Sequence, residues 1–342
     1  MQPQMTSGAG LRRASEEFKP AWWLTSPHAQ TILAAFIRRR PWVQLTRERL
    51  ELPDGDFLDL DWTPHAWGPL VLVSHGLEGS THSRYAIGAL AVIHRHGWQG
   101  VIMYFRGCSG EINRLARSYH SGDTGDMRFL FQYLKHRYPE RVLAAIGFSL
   151  GGNALLKYLG EAGNASLLSA AAAVSVPFEL DKAARKLETG SSRIYQWYLL
   201  RKLRAKARAK GLASPGELRR LKTLRQFDDR ITAPLHGFEG VDDYYRRASC
   251  RQYLRGIAVP TLILHAKDDP FLPPEAIPSS AEISETVQLE ISPQGGHVGF
   301  VSGKRPLRPH FWLESRILDF LKDSFSTSSK CSPSQRKGSR SF

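Results

Sequence analysis

Ser149 stands in a pattern that presents a serine for nucleophilic attack. Residues 147–151 read Gly-Phe-Ser-Leu-Gly, between an apolar run typical of a strand and a segment typical of a helix. A serine hydroxyl attacks a carbonyl when a sharp turn exposes it beside a base and beside donors for the oxyanion. Small residues on both sides of the turn let strand and helix pass closely. The pattern indicates acyl-transfer chemistry, although an ordinary glycine-rich turn in a chain with 29 glycines also produces it.

A carboxylate able to orient a base follows a later apolar segment. Residues 261–265 read as a buried strand, and Asp268 and Asp269 come shortly after it. The carboxyl end of a strand is where the functional groups of an open α/β sheet collect. We favour Asp269 as the orienting acid because Pro270 fixes the turn behind it. Asp268, as a local turn-forming residue, remains the alternative.

His297 is the candidate base. It lies on a Gly-Gly-His loop that follows the last strand pattern, at residues 286–291. A serine triad needs an imidazole between the serine and the acid, and the chain order serine, acid, histidine is one in which such triads occur. We therefore predict that the loop brings His297 between Asp269 and Ser149.

Two backbone N–H groups are candidates for the oxyanion hole. One belongs to Leu150, directly after the serine at the start of the helix. The other belongs to Leu77, in the loop His75-Gly76-Leu77-Glu78-Gly79 that follows an early apolar strand. We expect His75 to shape this loop by hydrogen bonding rather than to transfer a proton.

The elements that must position these residues alternate along the chain. Apolar strands that alternate with helices predict a mostly parallel central sheet covered by helices on both faces. The predicted hairpin covers residues 43–52 and 57–62, the other strands 70–74, 100–105, 142–148, 169–176, 261–265 and 286–291, and the helices 86–96, 123–138, 153–159 and 311–321.

The alternation stops between residues 177 and 255, where the chain is helix-rich and strongly basic, above all at residues 201–225. We predict a helical cap insertion that either closes the site or docks on an acidic surface, with a merely solvated face as the alternative. Tyr195, Trp197 and Tyr198 either line a pocket or serve plain packing. We further predict a flexible segment at 1–17, a hydrolytic domain at 18–323 and a disordered tail at 324–342.

Composition narrows the compartment and the partners. The chain has 342 residues, a net charge of +15 and three cysteines, with no apolar run long enough to cross a bilayer. Few, widely separated cysteines and the lack of a signal-like N-terminus favour a reducing, cytoplasmic setting. We expect no cofactor, no metal and no nucleic-acid partner. The charge leaves open a peripheral contact with an anionic membrane surface, and the oligomeric state is undetermined.

Six segments together resemble one family, the YheT-like hydrolases of the α/β-hydrolase superfamily, related to the mammalian abhydrolase-domain 1, 2 and 3 proteins. The resemblance covers residues 18–325. The segments are Pro27-His28-Ala29-Gln30-Thr31, residues 54–62, residues 75–80, residues 106–111 with 118–122, residues 147–153, and Gly295-Gly296-His297-Val298-Gly299-Phe300.

The resemblance implies an α/β-hydrolase fold and a carboxylic ester hydrolase of the carboxylesterase type, some relatives acting on lipids. It assigns Ser149 as nucleophile, Asp269 as acid and His297 as base. Residues 203–221 and the tail lie outside the matched segments. Arg106 and His120, near the sheet edge, either touch the substrate or hold the loop, and Cys108 has no partnered base.

The prediction from the sequence is thus a serine esterase that forms an acyl-enzyme on Ser149 and acts on an ester or lipid. Thioesterase, amidase or acyltransferase chemistry on the same triad remains an alternative. A second alternative is a non-catalytic protein that binds anionic surfaces through its basic cap.

Overall fold

The computed structural model describes residues 17–38, 40–306 and 308–330. Its strands are β1 Thr46–Glu51, β2 Phe57–Trp62, β3 Leu70–Ser74, β4 Gln99–Met103, β5 Leu143–Phe148, β6 Ala170–Val174, β7 Thr261–Ala266, β8 Val287–Ser292, β9 Val301–Ser302 and β10 His310–Phe311. Its α-helices are α1 Pro27–Ile37, α2 Arg84–Arg95, α3 Gly125–Arg137, α4 Leu150–Ala162, α5 Leu180–Leu187, α6 Arg193–Ala209, α7 Pro215–Arg220, α8 Leu224–Phe227, α9 Ala233–Leu235, α10 Val241–Ala248 and α11 Trp312–Lys330.

Eight strands form one sheet in the order β1-β2-β4-β3-β5-β6-β7-β8. The hairpin β1–β2 adds antiparallel strands at one edge, and β3 to β8 run parallel. The strands β3 to β7 are buried along their whole length, which is why they are apolar throughout rather than alternating. This is the mostly parallel sheet that the sequence predicts.

Helices cover both faces of the sheet. One apolar cluster joins the sheet to α3 and α4, through residues such as Met127 and Leu155. A second cluster on the opposite face joins it to α2 and α11, through residues such as Ile87 and Leu313. Parallel strands place their carboxyl ends at one edge, so the loops after β3, β5, β7 and β8 meet there.

Between β6 and β7 the chain leaves the sheet and forms α5 to α10, together with a π-helical turn at Asp228–Thr232. We call residues 177–255, which contain these helices, the cap. The cap has two apolar clusters of its own, one centred on α6 and α8 and one on α5 and α10. The cap lies over the carboxyl edge of the sheet: cap residues and residues of the loops at that edge border the same cavity.

Three features differ from the sequence-based expectation or lie outside it. Helix α1 was not predicted: it contains many apolar residues, but its buried residues are Gln30 and Ala34, so no apolar stripe marks a core-facing side. Helix α11 continues to Lys330, into the segment expected to be disordered, and Phe325 packs on Trp98 there. The predicted flexible segment lies outside the described residues except for Glu17, as does the tail from residue 331. In the described part of the chain no helix is both long and apolar enough to span a membrane.

Candidate active site

Ser149 lies on a tight turn between β5 and α4. Its backbone has φ +52° and ψ −118°. This conformation is energetically unfavourable for any residue other than glycine. The glycines around it are required by close approach. A Cβ on Gly147 would lie 2.6 Å from the Gly151 carbonyl oxygen, and one on Gly151 would lie 2.6 Å from the His75 carbonyl oxygen. The Gly-x-Ser-x-Gly pattern therefore follows from the packing of this turn.

The structure brings Ser149, His297 and Asp269 into one hydrogen-bonded row. His297 Nε2 lies 3.0 Å from Ser149 Oγ, and His297 Nδ1 lies 2.8 Å from Asp269 Oδ2. Burial alone would raise the pKa of Asp269, but the facing imidazole of His297 holds that pKa below its ordinary value. The Asp269 carboxylate is thus ionised and keeps the His297 Nδ1 proton on its side, so that Nε2 can accept the serine proton.

Asp268 has a different partner. Its Oδ1 accepts a hydrogen bond from the Gly296 N–H at 2.9 Å, whereas both Asp269 oxygens face His297. Burial raises the pKa of Asp268. Of the two candidate acids, geometry therefore favours Asp269, and Asp268 holds the backbone of the histidine loop.

Helix α1 supports that loop from the other side, and sequence reasoning gave its residues no role. The Thr31 hydroxyl accepts a hydrogen bond from the His297 N–H at 2.9 Å. Gln30 is buried, donates to the Leu24 and Val301 carbonyls, and accepts from the Val301 N–H. The signal was present in the segment 27–31, whose polar residues suit no core helix.

The face of the His297 ring is also fixed by packing. Phe271 stacks on it with ring centroids 3.9 Å apart and an angle of 12° between the planes. Tyr195 of the cap packs on the far side of Phe271, and its hydroxyl is hydrogen-bonded to His28 of α1 at 3.0 Å. These aromatic residues restrict the imidazole to the plane that joins Asp269 to Ser149.

Backbone strain is concentrated here. The non-glycine residues with positive φ in the described ranges are Glu78, Ser149, Ser175, Val298 and Phe300. Glu78 follows β3, Ser149 follows β5 and Ser175 follows β6. Val298 and Phe300 lie in the loop that carries His297. Ser175 Oγ accepts a hydrogen bond from the Val298 N–H at 2.9 Å, which ties two strained positions together. Strain of this kind clusters at functional sites, where surrounding contacts maintain it.

The predicted oxyanion donors, Leu77 and Leu150, both border the cavity together with Ser149. On either side of Leu77, the Gly76 N–H donates to Tyr85 Oη and the Glu78 N–H donates to Tyr119 Oη. Among the described residues, the Leu77 and Leu150 N–H groups donate to no protein acceptor. They are therefore free to bind a substrate oxygen, and their catalytic role stays a prediction.

His75 and Arg106 have structural partners. The buried His75 ring donates from Nδ1 to the Gly76 carbonyl and accepts from the Phe105 N–H at Nε2, and burial lowers its pKa to about 4. Arg106 is buried and forms ion pairs with Asp54, Asp56 and Asp126. Of the two readings of Arg106, a loop-holding role fits these contacts.

A cavity of about 130 Å³ lies between the row of Ser149, His297 and Asp269 and the cap. Its wall is mostly apolar and includes Leu150, Leu187, Leu199, Leu203, Leu224 and Phe227. His120 also borders it, and burial lowers the pKa of His120 to about 2, so this imidazole is neutral. His120 is thus placed where it can touch a substrate.

Lys206 of α6 connects the cap to the loop that carries Leu77. Its Nζ donates to Glu78 Oε1 at 2.6 Å and lies 3.1 Å from Cys108 Sγ, and both side chains of the ion pair are largely buried. Lys202 also donates to the Glu78 carbonyl at 3.2 Å. Part of the basic segment is therefore an anchor rather than a solvated face.

Trp197 and Tyr198 do not line the cavity. Both are exposed, whereas Tyr195 is buried against Phe271, so of the two readings only Tyr195 belongs near the site. Cys108 is beside Lys206 and Glu78, without a histidine, and burial raises its pKa to about 11. In the described part of the chain no group of three His, Cys, Asp or Glu residues is placed to hold a metal ion.

Comparison with known proteins identifies the fold family. A family model for the alpha/beta hydrolase fold matches residues 69–304. The chain is 43% identical over 327 residues to YheT of Escherichia coli K12, an inferred esterase. The match covers 92% of this chain and 96% of YheT. The chain is 30% identical over 308 residues to phospholipase ABHD3 of Mus musculus, covering 85% of this chain and 75% of that protein.

A more distant relative is a monoacylglycerol lipase of Saccharomyces cerevisiae, 30% identical over 275 residues, covering 74% of this chain and 59% of that protein. Among solved structures, the esterase Pf2001 of Pyrococcus furiosus matches with a TM-score of 0.57 at 18% identity. The match covers 83% of this chain and 91% of that one. At that identity the structural likeness concerns the fold alone.

Proposed function

This chain belongs to the alpha/beta hydrolase fold family, and we propose that it is a serine hydrolase that cleaves carboxylic esters through an acyl-enzyme. The observation that carries the proposal is the row Ser149–His297–Asp269, with 3.0 Å from His297 Nε2 to Ser149 Oγ. A base within hydrogen-bond reach of a serine and oriented by a carboxylate is the requirement for this chemistry.

In the proposed first half-reaction, His297 Nε2 takes the Ser149 proton while Oγ attacks the ester carbonyl carbon. The Leu77 and Leu150 N–H groups stabilise the resulting oxyanion, and Asp269 stabilises the imidazolium. Collapse of the tetrahedral intermediate breaks the carbon–oxygen bond to the alcohol, and His297 returns the proton to that alcohol. In the second half, His297 deprotonates a water molecule as it attacks the acyl-enzyme carbonyl. Collapse of the second tetrahedral intermediate breaks the bond to Ser149 Oγ and releases the acid, and His297 returns the proton to Oγ.

The cavity supports a proposal for the acyl group. A dry, leucine-lined cavity of about 150 Å³ binds a molecule of benzene size in another protein. At about 130 Å³ with a similar lining, this cavity is of a size that suits a chain of roughly four to eight carbons. We therefore propose short- to medium-chain acyl esters as the preferred substrates, with the cap as the wall that limits chain length.

The names of the relatives support an ester or a lipid. Phospholipase ABHD3 and the yeast monoacylglycerol lipase are named for lipid substrates, and both are 30% identical to this chain. The mostly apolar cavity suits the acyl part of such a molecule. An ester bond with an apolar acyl chain is the feature common to these substrates, and it is the substrate class proposed for this protein.

The test is hydrolysis of p-nitrophenyl esters of graded chain length by the purified protein and by Ser149→Ala. We expect a maximum of kcat/KM between about four and eight carbons and a loss of at least about 10³-fold in kcat for Ser149→Ala. A fluorophosphonate probe should label the protein but not Ser149→Ala. Ser166→Ala, at a serine remote from the site, is the matched control. Full activity of Ser149→Ala would overturn the proposal.

A further inference from the structure

The outer face of α6 exposes large apolar side chains to solvent. Ile194, Trp197 and Tyr198 are 56%, 61% and 45% exposed, and their spacing of three and four residues places them on one face of the helix. Arg201 and Arg208 continue the same face toward the end of the helix and are exposed as well. This face therefore combines a group of apolar residues with exposed cations.

Helix α6 carries six Lys or Arg residues and no Asp or Glu. The Arg201 guanidinium lies 5.4 Å from the Trp197 ring centroid, and Lys202 Nζ lies 4.8 Å from that of Tyr198. In contrast, Lys202 and Lys206 reach inward to Glu78, through its carbonyl and its carboxylate respectively. The exposed cations of the outer face are Arg201, which lies beside Trp197, and Arg208, and neither has an acidic neighbour on its own helix.

The opposite face of the same helix borders the substrate cavity. Leu199 and Leu203 line the cavity, whereas Trp197 and Tyr198 point away from it. Only the thickness of one helix separates the exposed aromatic residues from the cavity. A molecule bound on the outer face of α6 is therefore held next to the site.

Helix α1 also exposes apolar side chains. Phe36 is 70% exposed, and Leu33 is exposed one turn before it. The two helices are joined where His28 of α1 is hydrogen-bonded to Tyr195 of α6, and Ile32 packs against the same apolar cluster as Tyr195. We call Leu33, Phe36, Ile194, Trp197 and Tyr198 the aromatic face.

We propose that the aromatic face, with Arg201 and Arg208, is a docking surface for an anionic phospholipid bilayer. Tryptophan and tyrosine side chains favour the boundary between headgroups and acyl chains, and isoleucine and phenylalanine enter the acyl region. Arginines beside them meet the phosphates and the negative surface potential of anionic lipids. The net charge of +15 gives the whole chain the matching sign.

A nucleic-acid partner fits this surface less well. Single-stranded nucleic acids stack on aromatic rings within a basic groove, whereas the exposed Ile194, Leu33 and Phe36 carry no hydrogen-bonding group for bases or phosphates. Aliphatic side chains without polar groups are suited to an acyl phase. The docking proposal rests on the proposed function in one respect only: it identifies the surface at which the enzyme would meet a lipid ester.

The test is co-sedimentation with vesicles of phosphatidylcholine, with and without phosphatidylglycerol. The protein carries Ser149→Ala so that no lipid is consumed. We expect binding only when phosphatidylglycerol is present, and a fall of about tenfold or more in partition for Trp197→Ala with Tyr198→Ala. Trp67→Ala is the matched control, because Trp67 is 92% exposed in the loop before β3, at the opposite edge of the sheet.

Arg201→Gln with Arg208→Gln should weaken binding in proportion to the phosphatidylglycerol content, whereas Arg95→Gln, at the end of α2, should not. Equal binding by the Trp197/Tyr198 and Trp67 variants would overturn the proposal, as would binding to single-stranded DNA but not to vesicles. Hydrolysis of a soluble ester by the same surface variants of the Ser149 enzyme is measured separately. Vesicle binding without any ester hydrolysis would contradict the proposed function and leave the docking surface standing.

Discussion

The two walls of the substrate cavity are built by different means. On the sheet side, short loops hold Ser149, Asp269 and His297 through strained backbone and direct hydrogen bonds. On the cap side, separate helices pack through small apolar clusters and are attached to the rest of the protein by side-chain contacts such as Lys206 with Glu78 and Lys210 with Asn113. In the proposed function, the first wall fixes where atoms react, and the second decides what fits beside them.

This difference explains why one wall could be read from the sequence and the other could not. A strained turn demands particular residue types, such as the glycines around Ser149, so its chemistry is written locally. A helical cap accepts many apolar residues, and its sequence shows only that it is helical and basic. Mutations on the sheet side should therefore act on the chemical step, and those on the cap side on stability and substrate choice.

The largest expected effect separates the two neighbouring carboxylates of the sheet wall. Asp269→Asn should lower kcat by about 10³–10⁴-fold, because an amide no longer holds His297 in the tautomer that accepts the serine proton. Asp268→Asn should cost roughly tenfold or less, since Asp268 contacts the Gly296 N–H rather than the imidazole. Steady-state kinetics on a soluble p-nitrophenyl ester measure both. Similar losses for the two variants would contradict the assignment.

The next effect tests the contact between the walls. Lys206→Met leaves the buried Glu78 carboxylate without its cation, and we expect the free energy of unfolding to fall by about 3 kcal/mol. Urea unfolding measures this loss. Adding Glu78→Gln should restore part of the stability, because it removes the uncompensated charge. Arg208→Met, exposed on the same helix, should change it by no more than about 0.5 kcal/mol. Equal loss in the Lys206 and Arg208 variants would show that the ion pair is not an anchor.

The third prediction concerns α1, whose Thr31 contacts the backbone of His297. Thr31→Val removes the acceptor for the His297 N–H, so the histidine loop should shift and kcat should fall by roughly 10- to 100-fold with little change in KM. Thr31→Ser keeps a hydroxyl and should retain most of the activity. The ratio of kcat values for the two variants is the measurement. Equal activity of the valine and serine variants would rule out a positioning role.

The smallest effect concerns a buried carboxyl in the cap. Burial raises the pKa of Asp228 from 3.8 to about 6, although Thr232 and Tyr245 donate hydrogen bonds to it. A raised pKa means that the folded protein binds this proton more tightly than the unfolded chain does. Its contribution to stability is therefore present below about pH 4 and is lost as the pH rises through about 6.

Asp228→Asn should remove this pH dependence. Relative to the unsubstituted protein, the variant should gain on the order of 2 kcal/mol in unfolding free energy between pH 4 and pH 7. Urea unfolding at several pH values is the measurement. Parallel pH profiles for the two proteins would show that Asp228 does not titrate in this range.

The comparison between prediction and structure follows the same division. Residues next to strand ends, such as Ser149 and Asp269, could be placed because a parallel sheet collects its carboxyl ends at one edge. The contact of Thr31 with His297 could not, since it joins positions 266 residues apart and depends on how α1 packs. The exposure of Trp197 could not be predicted from the sequence either. It follows from the rotation of α6 about its axis, which the packing of Leu199 and Leu200 in the cap cluster determines. The extension of α11 to Lys330 includes an aromatic contact of Phe325 with Trp98 beyond the predicted end, which joins positions far apart in the chain.

The hydrogen bond from the His297 N–H to Thr31 also bears on what counts as the smallest working unit. The region that matches the alpha/beta hydrolase fold model begins at residue 69 and contains Ser149, Asp269 and His297. Helix α1 lies entirely before it, yet it carries the hydroxyl and the buried amide that hold the histidine loop. A protein trimmed to its recognisable domain would therefore keep every reactive group and lose the brace that aligns one of them. The boundary of the fold-family match and the boundary of the hydrogen-bonded network around His297 do not coincide in this chain.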